Sequence, residues 1–311
     1  MRRKVPTRIG LFVAAACLGS LSVAQAGSFV TDFNSGLPNG SAVFGSATVA
    51  ATGGYTNSGC LKLTTAANGQ NAGFVITNDL DSGTAVVSFT ARFQLLIGGG
   101  NGADGFSFNF APDVPLWTIS QEGAGTGLTV EFDTYNNGDP DRAPAIDVKV
   151  GGSEVATSFY HGLRTGTFVD VLIQLNPDDT LSVAYDGNYI YSNLDLSVFG
   201  YLPAAGGIFG FGAATGGVDD NHWVDDLSIT TQTNAAAFVS AFGPQGRGLA
   251  ANDVVGHAPN AAIDIVLTDS NTQAQTNSIT LTLDGASVTP SITTNGGGKT
   301  FVHYAPATPF A

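Results

Sequence analysis

The segment Gly105-Phe-Ser-Phe-Asn-Phe-Ala111 alternates strictly, with Phe106, Phe108 and Phe110 on one side of the chain and Ser107 and Asn109 on the other. A period of two marks a strand with one face against a core, whereas helical faces repeat every 3.6 residues. The pattern returns over residues 128–135, where Val130 and Phe132 oppose Glu131, Asp133 and Tyr135. Residues 85–93, 168–175, 180–185, 189–191, 207–212 and 223–229 are further strand candidates, and Asp186-Gly187 is a two-residue hairpin signal. Helix-like periodicity is almost absent. Short strands separated by turn signals predict an all-β fold, a two-sheet antiparallel jelly-roll sandwich over residues 27–231. Gly at 41 of 311 residues and only 12% charged residues suit tight turns around a large apolar interior.

The first 26 residues do not share this pattern. Arg2, Arg3, Lys4 and Arg8 form a basic start, residues 9–24 are largely apolar, and Ala24-Gln25-Ala26 is a small-x-small cleavage site. This is the organisation of a signal peptide cut after Ala26, so the mature chain is expected to be secreted, periplasmic or on the cell surface. Cys17 offers a lipoprotein alternative, weakened because Ala14, three residues before it, is not a bulky aliphatic. Gly19, Ser20 and Ser22 interrupt the apolar run, and no later segment is apolar enough to span a bilayer. Four of the 11 basic residues and none of the 25 acidic ones precede residue 27, leaving 7 against 25 and a net charge of −18. No basic face is available to phosphates, so a nucleic-acid partner is excluded. Cys60 is then the one remaining cysteine, which rules out an internal disulfide and predicts a small buried residue.

Composition shifts at residues 232–237, which are expected to be a linker. Residues 238–311 contain strand candidates at 262–267, 278–283, 286–292 and 299–304, with Asp284-Gly285 as a hairpin turn. This segment resembles a bacterial immunoglobulin-like module, but it is shorter than the usual length of about 100 residues. It is expected to be an incomplete sandwich whose final strand, 299–304, has no following partner, with Phe301 and Tyr304 partly exposed. Pro290 has no N–H to donate and is expected at an edge or bulge.

The chemistry concentrates in Glu131-Phe-Asp-Thr-Tyr-Asn-Asn-Gly-Asp-Pro-Asp141. Glu131 and Asp133 share a strand face, and the following loop adds oxygens from Asn137, Asp139 and Asp141. Calcium takes six to eight oxygen ligands, backbone carbonyls included, and a strand end followed by an Asn/Asp loop can supply them. An ordinary solvated turn has the same composition.

Three blocks carry a family resemblance. Glu131 to Asp139 resembles the metal-binding loop of legume-type, concanavalin A-like lectins. Ala103-Asp104-Gly105 with its following strand resembles their sugar-binding aspartate. Gly210-Phe-Gly-Ala-Ala-Thr-Gly216, followed by Asp219, His222 and Trp223, resembles their last two strands and the loop between them. The blocks occur in the family's order. Asn221-His-Trp-Val-Asp-Asp226 is also similar to bacterial laminin-G-like jelly rolls, which share the sandwich. The resemblance implies a glycan or polysaccharide partner. Asp104 would accept sugar hydroxyls, through a strained peptide bond after Ala103, and Asn137 would bind both cation and sugar. Tyr135 would give its carbonyl to calcium and its ring to the sugar. Gly123 or Gly125 and the loop Ala214, Thr215 and Gly216 would present backbone N–H groups at the rim. Glu131, Asp133, Tyr135, Asn137 and Asp139 would be the metal ligands.

Two departures qualify this expectation. The loop after Asn137 is shorter than the family's, which bears on calcium. Ala145 stands where the histidine of the neighbouring transition-metal site would fall, which argues against a transition metal. Glycoside hydrolases of the same sandwich carry a third carboxylate two or three residues after Glu-x-Asp, and catalysis needs a facing pair. Tyr135 and Asn136 occupy those positions, so the chain is expected not to be an enzyme. A structural or adhesive sandwich without sugar binding is the other alternative. Of the two tryptophans, Trp223 is expected to pack in the core, and Trp117 is left open as a stacking platform.

Overall fold

The computed structural model describes residues 11–15, 27–138, 142–203, 205–233, 238–243, 262–269, 273–283, 286–295 and 298–307. The chain forms two compact units, one of Gln25–Thr233 and one of Met1–Ala24 with Asn234–Ala311. The first described strand, β1 (Leu11–Ala15), belongs to the smaller unit.

The larger unit contains β2 (Ser28–Thr31), β3 (Ser41–Gly45), β4 (Thr48–Ala50), β5 (Cys60–Thr64), β6 (Asn71–Ile76), β7 (Ser88–Gly98), β8 (Gly105–Ala111), β9 (Leu128–Asp133), β10 (Ala145–Val150), β11 (Ser153–Phe159), β12 (Val169–Leu175), β13 (Thr180–Tyr185), β14 (Asn188–Asp195), β15 (Ile208–Ala214) and β16 (Asn221–Gln232). One sheet has the order β11-β10-β9-β8-β15-β6-β3. The other has the order β14-β13-β12-β7-β16-β5-β4, with β2 paired to β16. Sequence neighbours such as β7 and β8 lie in different sheets, as in a jelly roll.

The alternating phenylalanines make the core between the sheets. Phe106, Phe108, Phe110, Val130, Phe132, Phe209 and Phe211 are all buried. Phe89 and Phe93 of β7 meet Phe209 and Phe211 across the sandwich at 5.3 and 5.6 Å between ring centroids. Cys60 is buried as expected.

The other face of β8 departs from simple alternation, because Ser107 and Asn109 are also fully buried. Residues 112–127 run back over this sheet. Val114 and Ile119 pack on Val75 and Ala111 to form a small second core. Asn109 holds the loop from beneath: its Oδ1 accepts from the Ala124 N–H at 2.9 Å and the Thr129 hydroxyl at 2.9 Å. Ser107 Oγ donates to the Ser120 carbonyl at 2.8 Å.

The smaller unit contains β17 (Phe238–Gly243), β18 (Ile263–Thr268), β19 (Ile279–Leu283), β20 (Ala286–Val288), β21 (Ser291–Asn295) and β22 (Lys299–Tyr304). Its two sheets have the orders β17-β18-β22-β21 and β1-β19-β20. Ile265, Leu267, Ile279, Leu281 and Val302 form its core. The last strand, expected to lack a following partner, lies between β18 and β21 instead. The reason is Pro290. Residues 286–292 do not form one strand: β20 stays with β19, and β21 crosses to the other sheet and pairs with β22. Phe301 and Tyr304 are partly exposed, as expected. The expected linker falls mostly on residues 234–237, outside the described residues. Leu11–Ala15, assigned from sequence to the leader, pairs antiparallel with Ile279–Leu283.

Candidate carbohydrate and cation site

Asp104 enters the site at the start of β8. The peptide bond Ala103–Asp104 is cis. The residue's backbone is held at both ends: its N–H donates to the Ala214 carbonyl at 2.9 Å, and its carbonyl accepts from the N–H and hydroxyl of Thr134 at 3.0 and 2.9 Å. The preceding loop is fixed separately. Asn101 and Gly102 both donate to the Asp219 carbonyl, and Gly100 donates to Asp220 Oδ1. Arg164 closes this region with a two-pronged contact to Asp220, 2.6 Å from Nε to Oδ2 and 3.2 Å from Nη2 to Oδ1. Sequence reading missed Arg164, whose partner is 56 residues away.

Among the described residues the Asp104 carboxylate accepts no hydrogen bond. It is half-buried, and burial first and Glu122 second push its pKa above the usual carboxylate range. It lies against Gly216, where a Cβ would stand 3.3 Å from Oδ1 and 3.5 Å from Oδ2. The Ala214–Gly216 loop therefore leaves room for the carboxylate. The expected rim donors are already used: the Thr215 N–H donates to the Gln70 carbonyl and the Gly216 N–H to the Val218 carbonyl.

Asp133 ends β9 directly opposite Gly105, so residues 104 and 133 become neighbours at one end of the sheet. Asp133 is buried, and its Oδ1 accepts from the Tyr135 N–H at 2.9 Å. Tyr135 is 39% exposed, and Asn137 is exposed in the loop that follows. Asp139 and Asp141 lie outside the described residues. Gly123 and Gly125 are not beside Asp104. Gly123 lies against Asn109 and Thr129, and Gly125 against Ala111 and Val114. Asn109 and Ala111 are roughly 13 and 20 Å along the strand from Gly105. Gln121 is the loop residue that approaches Gly105, its Cβ 3.4 Å from where a glycine-replacing Cβ would stand.

Glu131, expected among the metal ligands, is engaged elsewhere. Its Oε2 is 2.6 Å from Lys149 Nζ, which also reaches Glu122 Oε2 at 2.6 Å. Burial pushes Glu131 up to about 8, against the pull of the lysine. Asp147 faces Glu131 across the β9–β10 ladder and is also buried. Ala145 stands opposite Asp133, so the absent imidazole would have fallen beside that carboxylate. These residues do not fit a transition metal: one carboxylate is bound to an ammonium and the histidine position is a methyl. Among the described residues no group of three or more His, Cys, Asp or Glu is arranged to hold an ion. For calcium, the described donors are Asp133, the Tyr135 carbonyl and Asn137.

Trp117 is 66% exposed and Leu116 55% exposed. Trp223 is only partly buried, with its Nε1 donating to the Thr64 carbonyl and the Lys62 ammonium 3.8 Å from its ring centroid. His222 is fully buried beside it, with Nδ1 2.7 Å from the Thr64 hydroxyl.

No protein-family model matches the chain, and no curated protein matches it in sequence. Among solved structures, it is similar to lectin II from Ulex europaeus, with a TM-score of 0.50 and 21% identity over 67% of this chain and 98% of that one. The larger unit has the legume-lectin fold. Lectin I-B4 from Griffonia simplicifolia matches with a TM-score of 0.49 and 21% identity, over 66% of this chain and 98% of that one. The exoplasmic/lumenal domain of VIP36, in a form bound to Ca2+ and Man3GlcNAc, matches with a TM-score of 0.48 and 16% identity, over 66% and 87%. At these identities the likeness is one of fold. No helix among the described residues is long and apolar enough to cross a membrane.

Proposed function

We propose that this chain is an exported carbohydrate-binding protein. Its larger unit would hold a glycan at Asp104, with a calcium ion at Asp133, the Tyr135 carbonyl, Asn137 and Asp139. The observation that carries this reading is the state of Asp104. Its backbone is fixed on both sides, while its carboxylate accepts no hydrogen bond among the described residues and is partly desolvated. A positioned acceptor without a partner suits sugar hydroxyls, which donate to it without bringing a charge. Binding rather than catalysis is supported by Glu131, which is 3% exposed and tied to Lys149. Glycan-array binding of the 27–311 chain, with and without a calcium chelator, tests the reading. Selective glycan binding that Asp104→Asn abolishes is expected, and an array without a hit sinks it.

A second reading is a structural or adhesive sandwich without sugar. Lys149 favours it, because an ammonium bonded to Glu131 replaces one of the family's metal contacts. Calcium titration followed by native mass spectrometry separates the readings: one bound ion per chain supports the first, and none supports the second.

A further inference from the structure

Asp81 is fully buried in the larger unit. Its Oδ1 accepts from the Thr231 hydroxyl at 2.9 Å, and its Oδ2 has no partner among the described residues. Among the described residues, the one other charged group that bears on it is Asp79, a second acid. A buried carboxylate without a counter-ion is costly, and native folds seldom keep one.

Gly27 lies beside this carboxylate. Its N–H donates at 3.1 Å to the same Thr231 hydroxyl that donates to Asp81. Gly27 is itself buried, and its carbonyl accepts from the Thr231 N–H at 2.9 Å. A Cβ at this position would stand 2.5 Å from the Leu80 carbonyl oxygen and 2.7 Å from the Leu80 Cβ, so the seat admits glycine alone. The sequence places the leader cleavage directly before this residue.

We propose that hydrolysis of the Ala26–Gly27 peptide bond completes the larger unit, because the α-ammonium group freed at Gly27 becomes the counter-ion of Asp81. Water adds across the bond, Ala26 leaves with the carboxylate, and the Gly27 nitrogen takes up a proton. An amide nitrogen has one proton to donate and no charge. The ammonium has three, enough for Thr231 Oγ1 and both oxygens of Asp81, and it neutralises the acid. The precursor therefore carries a built-in defect that export and cleavage remove. The inference rests on the export reading and adds a purpose for the cut at this residue.

The test uses chain 27–311 released from a fusion by a sequence-specific protease, so that a free α-amine at Gly27 does not depend on the cell's own processing. It is compared with the same chain N-acetylated and with one that keeps Gln25-Ala26. The free amine is expected to raise the melting temperature of the larger unit by about 5–10 °C over both. Asp81→Asn is expected to remove most of that difference. Equal melting temperatures, or a difference that persists in Asp81→Asn, overturn the proposal. Should Asp81→Asn fail to fold, the pKa of the Gly27 amine in the unaltered chain decides. A value well above the ordinary range of about 7.7–8.0 is expected, and an ordinary value overturns the pairing. N-terminal sequencing of the exported protein tests the export reading separately. A chain that keeps its first 26 residues removes that reading and this proposal together, whereas a cut at another bond, or a Gly27 start with no gain in stability, removes this proposal alone.

Discussion

Lys149 Nζ sits 2.6 Å from Glu131 Oε2, one strand over from Asp133. The lysine side chain is 12% exposed and the glutamate 4%, so both charges have been taken almost wholly out of water. Lys149→Met leaves Glu131 beside the buried Asp147 without a cation. It is expected to cost about 3–5 kcal/mol by chemical denaturation. Adding Glu131→Gln should return much of that loss, because the orphaned charge is then gone. A Lys149→Met protein as stable as the parent would show that the pair contributes nothing.

Asp104→Asn changes no backbone hydrogen bond, so the melting temperature should move little. Glycan affinity should fall by at least tenfold, about 1.4 kcal/mol, because an acceptor is replaced by a group that also donates. Gly216→Ala is expected to weaken binding less, by crowding the carboxylate from 3.3 Å. Calorimetry with the best array ligand measures both, and unchanged affinity in Asp104→Asn moves the sugar site elsewhere.

Acid should act through His222. Burial holds its imidazole down to about 4 from the ordinary 6.5. Above pH 6.5 it is neutral in both folded and unfolded chains and has no effect. As pH falls from 6.5 toward 4 the unfolded chain takes up a proton that the folded chain refuses, and stability drops by up to about 3 kcal/mol. Glu131, with its raised value, pushes the opposite way over part of this range. The difference between the parent and His222→Gln isolates the histidine: the variant should lose less stability between pH 6.5 and 4, and parallel curves refute the assignment.

Asn109→Ala removes the acceptor for Ala124 and Thr129 under the covering loop. A loss of about 1–3 kcal/mol is expected, together with faster proteolysis within residues 112–127. Cleavage elsewhere first would show that the loop is held by Val114 and Ile119 alone.

The strands and their core face are readable in the sequence because Phe106, Phe108, Phe110, Val130 and Phe132 report their side of the sheet directly. Ser107 and Asn109 mislead because alternation reports which face a residue takes, and a loop from elsewhere can cover the polar face. The neighbours Asp104 and Asp133 are visible through family resemblance, since pairing across 29 residues has no local signature. Lys149 escapes notice for the same reason: its partner is chosen by the register of β9 against β10. The misjudged rim donors have a different origin. Thr215 and Gly216 are loop residues in sequence, but Gln70 and Val218 reach them from the flanking chain and use their amides internally.

The larger unit receives the chain and hands it on at one place, because β2 is paired along Leu227–Thr230 of β16. Such a module can be inserted in a surface loop of a host protein, or its ends joined and new ones opened, without stretching its sheets. Joining the ends, however, would turn the Gly27 nitrogen back into an amide. A circular permutant would keep every strand in register and still leave Asp81 unanswered.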